Sequence, residues 1–319
     1  KFAETIQKTK ATMERAETKF HEGMAKIAAS KETFAKAKAK IAEKTIPGMS
    51  LDDMRAAGID PDLARVMTRT EVLERYKLGL SFAKRNLTGL NLSELDLSGI
   101  DLSEAILKNT DFSCSVLDGA NLSKAIAPKA NFSKASLHNA NLTMSLFMGA
   151  NLRKANLCEA VLRQTALREA DLTKADLSGA KLAMAVLSKA KLRKTRFADA
   201  SMTLTLFEGS DMSKTDFAGA SLHKTVFRNL TMDRTDFTKA GLESVTFSGV
   251  TGAGVLFTEA DMRKFRMGKQ CAMAGTNFRK ADLIEACLRE SDISSSDFRG
   301  ARLDQDRKST RLNSSHLGI

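Results

Sequence analysis

The chain has 319 residues, 43% of them apolar and 28% charged, with a formal net charge of +12. It is long enough for one or two domains and apolar enough to bury a core, and with 17 Phe, one Tyr and no Trp that core must be built from Leu, Phe, Met and Ala. The four cysteines (Cys114, Cys158, Cys271, Cys287) form no C-x-x-C pair, which excludes a zinc ribbon or dense disulfide scaffold and fits a reducing compartment. No apolar run approaches the roughly 18 to 20 residues of a membrane helix, so no membrane span is expected. The chain opens at Lys1 rather than Met and reads as a piece of a longer protein, so no targeting signal is observable.

The first predicted element is a long helix over residues 1–44. Ile6, Met13, Phe20, Ile27, Phe34 and Ile41 recur every seven residues, with the small residues Thr9, Ala16, Gly23, Ser30 and Ala37 between them. One large and one small residue per heptad make a narrow coiled-coil stripe that lets another backbone approach closely. Pro47 and Gly48 end it. Residues 45–80 read as short helices: Ser50 with Asp53 marks one N-terminus and Asp60-Pro61 another. Thr70 to Leu80 is expected to form a helix that plugs the open end of the repeat region after it.

Residues 81–305 repeat with a period of five. From Leu87 to Met267 every fifth residue is large and apolar, broken only at Ala127 and Gly252. The register then slips by one residue near Gln270 and resumes at Met273, Phe278, Leu283, Leu288, Ile293, Phe298 and Leu303. Two residues before each centre sits mostly Ala, Ser or Thr, and the residue before it is often Asp or Asn, as in Ala120-Asn121-Leu122 and Ala170-Asp171-Leu172. A period of five fits neither a helix nor an ordinary strand. It fits a chain that turns a corner every five residues and closes a square coil with two side chains per unit pointing inward. About eleven such coils, stacked at about 4.8 Å, make a rod roughly 50 Å long.

The A-(D/N)-L-x-x pattern resembles the pentapeptide-repeat family over about Arg85 to Gln305. The resemblance implies an all-β solenoid, a right-handed quadrilateral β-helix, here behind an α-helical N-terminal region. It also implies a bacterial protein, either cytoplasmic or secreted as part of a larger, secretion-associated chain. Some family members mimic DNA and protect gyrase with an acidic rod, usually as dimers. This rod departs from them, because it carries more Lys and Arg than Asp and Glu.

Residues 20 apart should stack on one face. On the first face the residue before the centre runs Ile106, Ile126, Leu146, Ala166, Val186, Leu206, Val226, with Met148 beside it. An apolar stripe thus stands where the pattern expects Asp or Asn, and leaving it wet is unfavourable. The expected occupants are the chain's own N-terminal helix, a second copy in a homodimer, or another protein; the remaining reading is a β-branched ladder that serves stability alone. A second column is basic: Lys134, Lys154, Lys174, Lys194, Lys214 and Arg234, flanked by Arg153 and Arg193. Asp176, Asp216 and Asp236 follow at two positions and are expected to pair with it. The alternative is a groove for an anion, although without interleaved exposed aromatics nucleic acid is disfavoured. Phe197, Phe217, Phe237, Phe257 and Phe278 recur at the coil spacing and read as core.

No active site is legible. His21, His138 and His223 read as isolated, without a Ser or Cys placed for a triad and without metal-ligand spacing. There is no Gly-rich phosphate loop, and Gly252 and Gly254 mark a weak coil. The expectation is a scaffold with no enzyme activity, no cofactor and no metal. Asp306 to His316 (D-R-K-S-T-R-L-N-S-S-H) resembles a translated sequencing adapter, so 306–319 is set apart as a non-native tail.

Overall fold

The computed structural model describes residues 65–303 except 269, 289 and 290. The helix expected over 1–44, the short helices expected before residue 65, and the tail 306–319 lie outside the described residues. Nearly all described residues belong to the second of two compact units, Val66–Ile319.

That unit opens with one bridge, Val66 to Asn86, and then a helix, α1 (Arg69–Lys77). Thr68 caps it, accepting from the Glu71 backbone N–H, while the Glu71 carboxylate accepts from Thr68 N at 2.7 Å. This reciprocal pair is the S/T-x-x-E start signal. The helix stops at Gly79, whose left-handed φ of 65° lets its N–H reach Tyr76 O (2.9 Å) and the Leu80 N–H reach Arg75 O (3.1 Å). Val72 is fully buried at the end of the core. Arg69 Nη1 donates to Asn91 O at 2.6 Å and Tyr76 Oη to Ser98 O at 3.0 Å. In later coils the equivalent carbonyls accept backbone N–H groups from the preceding coil, as Asp111 O does from Leu92 N. Two side chains of α1 therefore stand in for the donors that a missing coil would supply, which protects the exposed edge.

From there the chain climbs as a four-sided β-helix. Asn86, Asn91, Asp96 and Asp101 each bridge in parallel to the residue 20 positions on, Ile106, Asp111, Val116 and Asn121, and the pattern continues up the rod. We number the sides one to four in that order. One coil is longer: Thr251 bridges Ala272 and Arg266 bridges Cys287, which accommodates one extra residue near Gln270. Side one carries the only strands among the described residues, β1 (Leu206–Glu208), β2 (Val226–Arg228), β3 (Thr246–Ser248) and β4 (Arg266–Met267), paired in parallel in that order.

Most corners are tight turns. In these the N–H three residues after a centre returns to the centre's carbonyl, as from Ala105 to Leu102 O at 3.1 Å, and the fifth residue of the unit has positive φ, 58° at Glu104 and 57° at Lys124. A single positive φ at the third turn residue is the type II signature. The Asp or Asn before the centre locks this corner with its side chain: Asn121 Oδ1 accepts from Ser123 N (3.2 Å) and Asp171 Oδ1 from Thr173 N (3.0 Å). That bond is the physical reason for the motif's polar second residue.

The centres and the small residues two before them fill the interior. On side three the rings of Phe197, Phe217, Phe237, Phe257, Phe278 and Phe298 stack nearly flat, with successive centroids 4.7–5.3 Å apart. On side one Phe207 and Phe227 stack at 5.0 Å and meet the first stack edge-on, as Phe207 does Phe217 at 5.9 Å, while Phe247 is turned by 62° from Phe227. Buried Thr hydroxyls at the small position donate to a carbonyl of the coil before, as Thr195 Oγ1 does to Leu172 O at 2.8 Å. Among the described residues every buried side-chain polar atom has a partner.

Candidate interaction surfaces

The apolar residues of side one form one continuous column. Ile106, Ile126, Leu146, Ala166, Val186 and Leu206 are joined by successive parallel bridges, and Leu206 pairs with Val226 between β1 and β2. Below Ile106 the column is Asn86, and above Val226 it is Thr246. Its members are half-buried, and Leu206 is only 7% exposed. The stripe is thus drier than its outward register implies, because each side chain lies against those of the coils on either side. None of these side chains can accept the turn N–H that Asp or Asn accepts elsewhere. At Pro128 the backbone offers no such N–H.

The sequence reading found Met148 beside this stripe but missed the border on its other side. The fifth position of side four sits at the corner next to the column, and there Met144 is 49% and Leu204 52% exposed, with Met184 between them in the same file. Met144, Leu146 and Met148 consequently lie across one corner and face. The signal was available in the 20-residue file Met144, Gln164, Met184, Leu204. It was obscured because the stripe was read at a single motif position.

The basic column is also continuous. Lys134, Lys154, Lys174, Lys194, Lys214 and Arg234 are all exposed, and all have left-handed φ, between 54° and 62°. Their N–H groups bond in order to the next coil, Lys134 N to Arg153 O and Lys154 N to Thr173 O. Among the described residues none of the six makes an ion pair. The expected pairing with Asp176, Asp216 and Asp236 does not occur. Those carboxylates point back to their own corners, accepting from Ser178 N, Ala218 N and Thr238 N at 3.0, 3.0 and 2.8 Å. Where they do meet a cation it is Arg196, 3.0 Å from Asp176 and 3.8 Å from Asp216. The flanking Arg153 pairs with Asp171 at 3.2 Å.

His138 is less isolated than the sequence suggested. Asp118, His138 and Cys158 occupy equivalent positions on three successive coils of side three, since Gly119 N bonds to His138 O and Asn139 N to Cys158 O. The geometry does not make a nucleophile of the thiol. Asp118 Oδ1 accepts from the His138 backbone N rather than the ring, and the ring Nε2 meets Asn139 Nδ2 at 2.9 Å. Burial pushes the Cys158 thiol up, and the Asp176 charge and hydrogen bond push it further, so the thiol stays protonated. Burial likewise raises Cys271. His223 meets Glu243 at 3.7 Å, while His21 lies outside the described residues. Among the described residues no three His, Cys, Asp or Glu side chains are grouped to hold a metal, and no helix is long and apolar enough to cross a membrane.

Comparison with known proteins gives a family match. A model of pentapeptide repeats matches eight copies, overlapping from residue 86 to 249 and again at 269–305. No curated protein matches. Similar solved structures include HetL, a pentapeptide repeat protein involved in heterocyst differentiation regulation from the cyanobacterium Nostoc sp. strain PCC 7120. It is 24% identical with a TM-score of 0.40, over 74% of this chain and 94% of HetL. Full-length QnrB1, a plasmid-mediated fluoroquinolone resistance protein, is 16% identical with a TM-score of 0.22, over 69% and 96%. Rfr23, a pentapeptide repeat protein from the cyanobacterium Cyanothece 51142, is 23% identical with a TM-score of 0.21, over 47% and 99%.

Proposed function

We propose that this chain, which belongs to the pentapeptide-repeat family, acts as a non-catalytic scaffold that engages protein through side one of its β-helix. The observation that carries this reading is the apolar band from Ile106 to Val226 with its border of Met144, Met148 and Leu204. The column's own ladder contacts cover part of it, but Met144 and Leu204 remain about half exposed. Covering the exposed half of each such side chain gains about half of the roughly 1.5–3 kcal/mol of full burial. At about 4.8 Å per coil the seven-residue column spans about 29 Å, the length of a standard protein contact. A role as an acidic DNA mimic is disfavoured by the positive rod.

The test is the solution mass of the full chain by light scattering, beside the double variant Met144→Lys/Leu204→Lys, both of which are exposed on the rod. A wild-type dimer that becomes a folded monomer supports the reading, with a second copy as the partner. A wild-type monomer whose variant loses stability would mean that the band is covered within its own chain, which overturns docking of a partner. Unchanged mass and stability overturn the reading altogether.

A further inference from the structure

We infer that the ladder from Lys134 to Arg234 is a binding site for a linear polyphosphate chain, on a surface separate from the apolar band. The fifth positions at the other three corners mix cations with Gly, Asn, Glu or apolar residues. Only at this corner do cations occupy six successive coils. At about 4.8 Å per coil they span about 24 Å in a straight line. Each cation stands on a left-handed residue at the tip of a turn, where the side chain projects from the rod. The nearby carboxylates are already engaged: Asp171 with Arg153 and Lys191, Asp176 and Asp216 with Arg196. No ion pair among the described residues involves the ladder itself, and Asp233, beside Arg234 at its upper end, accepts from Ala253 N at 2.9 Å.

The chemistry of the ladder selects the partner. Five of its six members are Lys, point charges without the planar fork that reads a carboxylate in two places. Beside them lie Ser133, Arg153, Thr173, Arg193, Ser213 and, at the upper end, Asp233, so a folded acidic protein would find no apolar contact here. Surface ion pairs alone contribute only about 0–1 kcal/mol each. Single-stranded nucleic acid needs aromatic faces for its bases, and the side-three Phe rings next to this corner face the interior. A flexible chain that carries a phosphate charge on every unit and no bases needs neither. It gains by releasing its counterions to the ladder.

The experiment measures binding of long-chain inorganic polyphosphate to the full chain between 50 and 200 mM salt. Six contacts with a flexible strand predict a slope of log K against log salt of roughly −4. The variant Lys154→Gln/Lys174→Gln/Lys194→Gln should lose about half of that slope and at least tenfold in affinity at low salt. Lys84→Gln/Lys224→Gln/Lys264→Gln removes the same charge from the corner of side four and should bind as wild type. Equal losses in the two variants would reduce the effect to net charge and overturn the site. Tighter binding of oligo-dT than of polyphosphate would overturn the choice of partner, and no binding at 50 mM salt would overturn the proposal.

Discussion

Phe217 lies flat over Phe237, with ring centroids 4.9 Å apart and planes 2° from parallel. The separation matches the backbone spacing between coils, about 4.8 Å. The rings are thus stacked by the ladder that carries them, and each is packed above and below by its own kind. Removing one leaves a void that neighbours held at fixed height cannot close. Phe217→Ala should cost about 3–5 kcal/mol, and Phe217→Leu clearly less. The check is chemical denaturation of both variants. A loss below about 1 kcal/mol for Phe217→Ala would show that the coils collapse around the gap.

A corner that requires positive φ should discriminate among side chains by backbone alone. Ser244 has φ 60° at such a corner. Ser244→Val should destabilise by about 1–2 kcal/mol, while Ser244→Asn should be neutral or slightly stabilising. Thermal melting of the pair measures the difference, and equal midpoints would contradict the turn assignment.

The same argument separates docking from folding at Leu204. This residue combines an exposed apolar side chain with φ 59°. Leu204→Asn should leave the melting temperature unchanged or higher while weakening any association through side one. A fall in stability would instead place Leu204 within the packing of the rod.

Carboxylates that lock corners make the rod acid-sensitive. Asp297 is held at about 2 by hydrogen bonds from Arg299. Asp171 and Asp176 are also held low, against the cost of burial, by Thr173 with Arg153 and by Ser178 with Arg196 respectively. A folded value below the ordinary 3.8 gives stability that is complete well above that value and is lost as the pH falls through the folded one. The melting temperature should be level down to about pH 5 and fall steeply between about pH 4 and 2. Asp176→Asn retains the acceptor for Ser178 N and should remove that residue's share of the acid loss.

Cys158 should alkylate slowly at neutral pH, because burial and Asp176 both favour its protonated form. Asp176→Asn should speed the reaction severalfold, followed by mass spectrometry of the modified peptide. No change would assign the slowness to access alone.

The period of five was enough to place the described centres inside, all but Gly252 and the last two, Phe298 and Leu303, being buried, and to locate the slip near Gln270, because interior size is a strong constraint that each coil repeats. Corner chemistry was less legible. Asp and Asn before the centre could be read as charges available to the Lys column, whereas they are acceptors for their own turns. The left-handed fifth position had left a trace in Gly89, Gly99, Gly119 and Gly149, but Lys and Glu at equivalent places hid it. The column Asp118, His138, Cys158 required comparison at a spacing of 20, and its hydrogen bonding depends on side-chain orientation that no spacing encodes. Met144 and Leu204 escaped for a related reason: exposure at a corner belongs to two faces at once.

Because each residue bridges only to the coil before and the coil after, the rod has a simple mechanical signature. Pulled along its axis, it has no bridge among the described residues that spans more than neighbouring coils, so coils should peel away one at a time from an edge. Each event would release one coil of chain, roughly 65 Å of extended backbone. The edge covered by α1, with Arg69 and Tyr76 holding Asn91 and Ser98, should yield at higher force than the same edge in an Arg69→Ala/Tyr76→Phe variant.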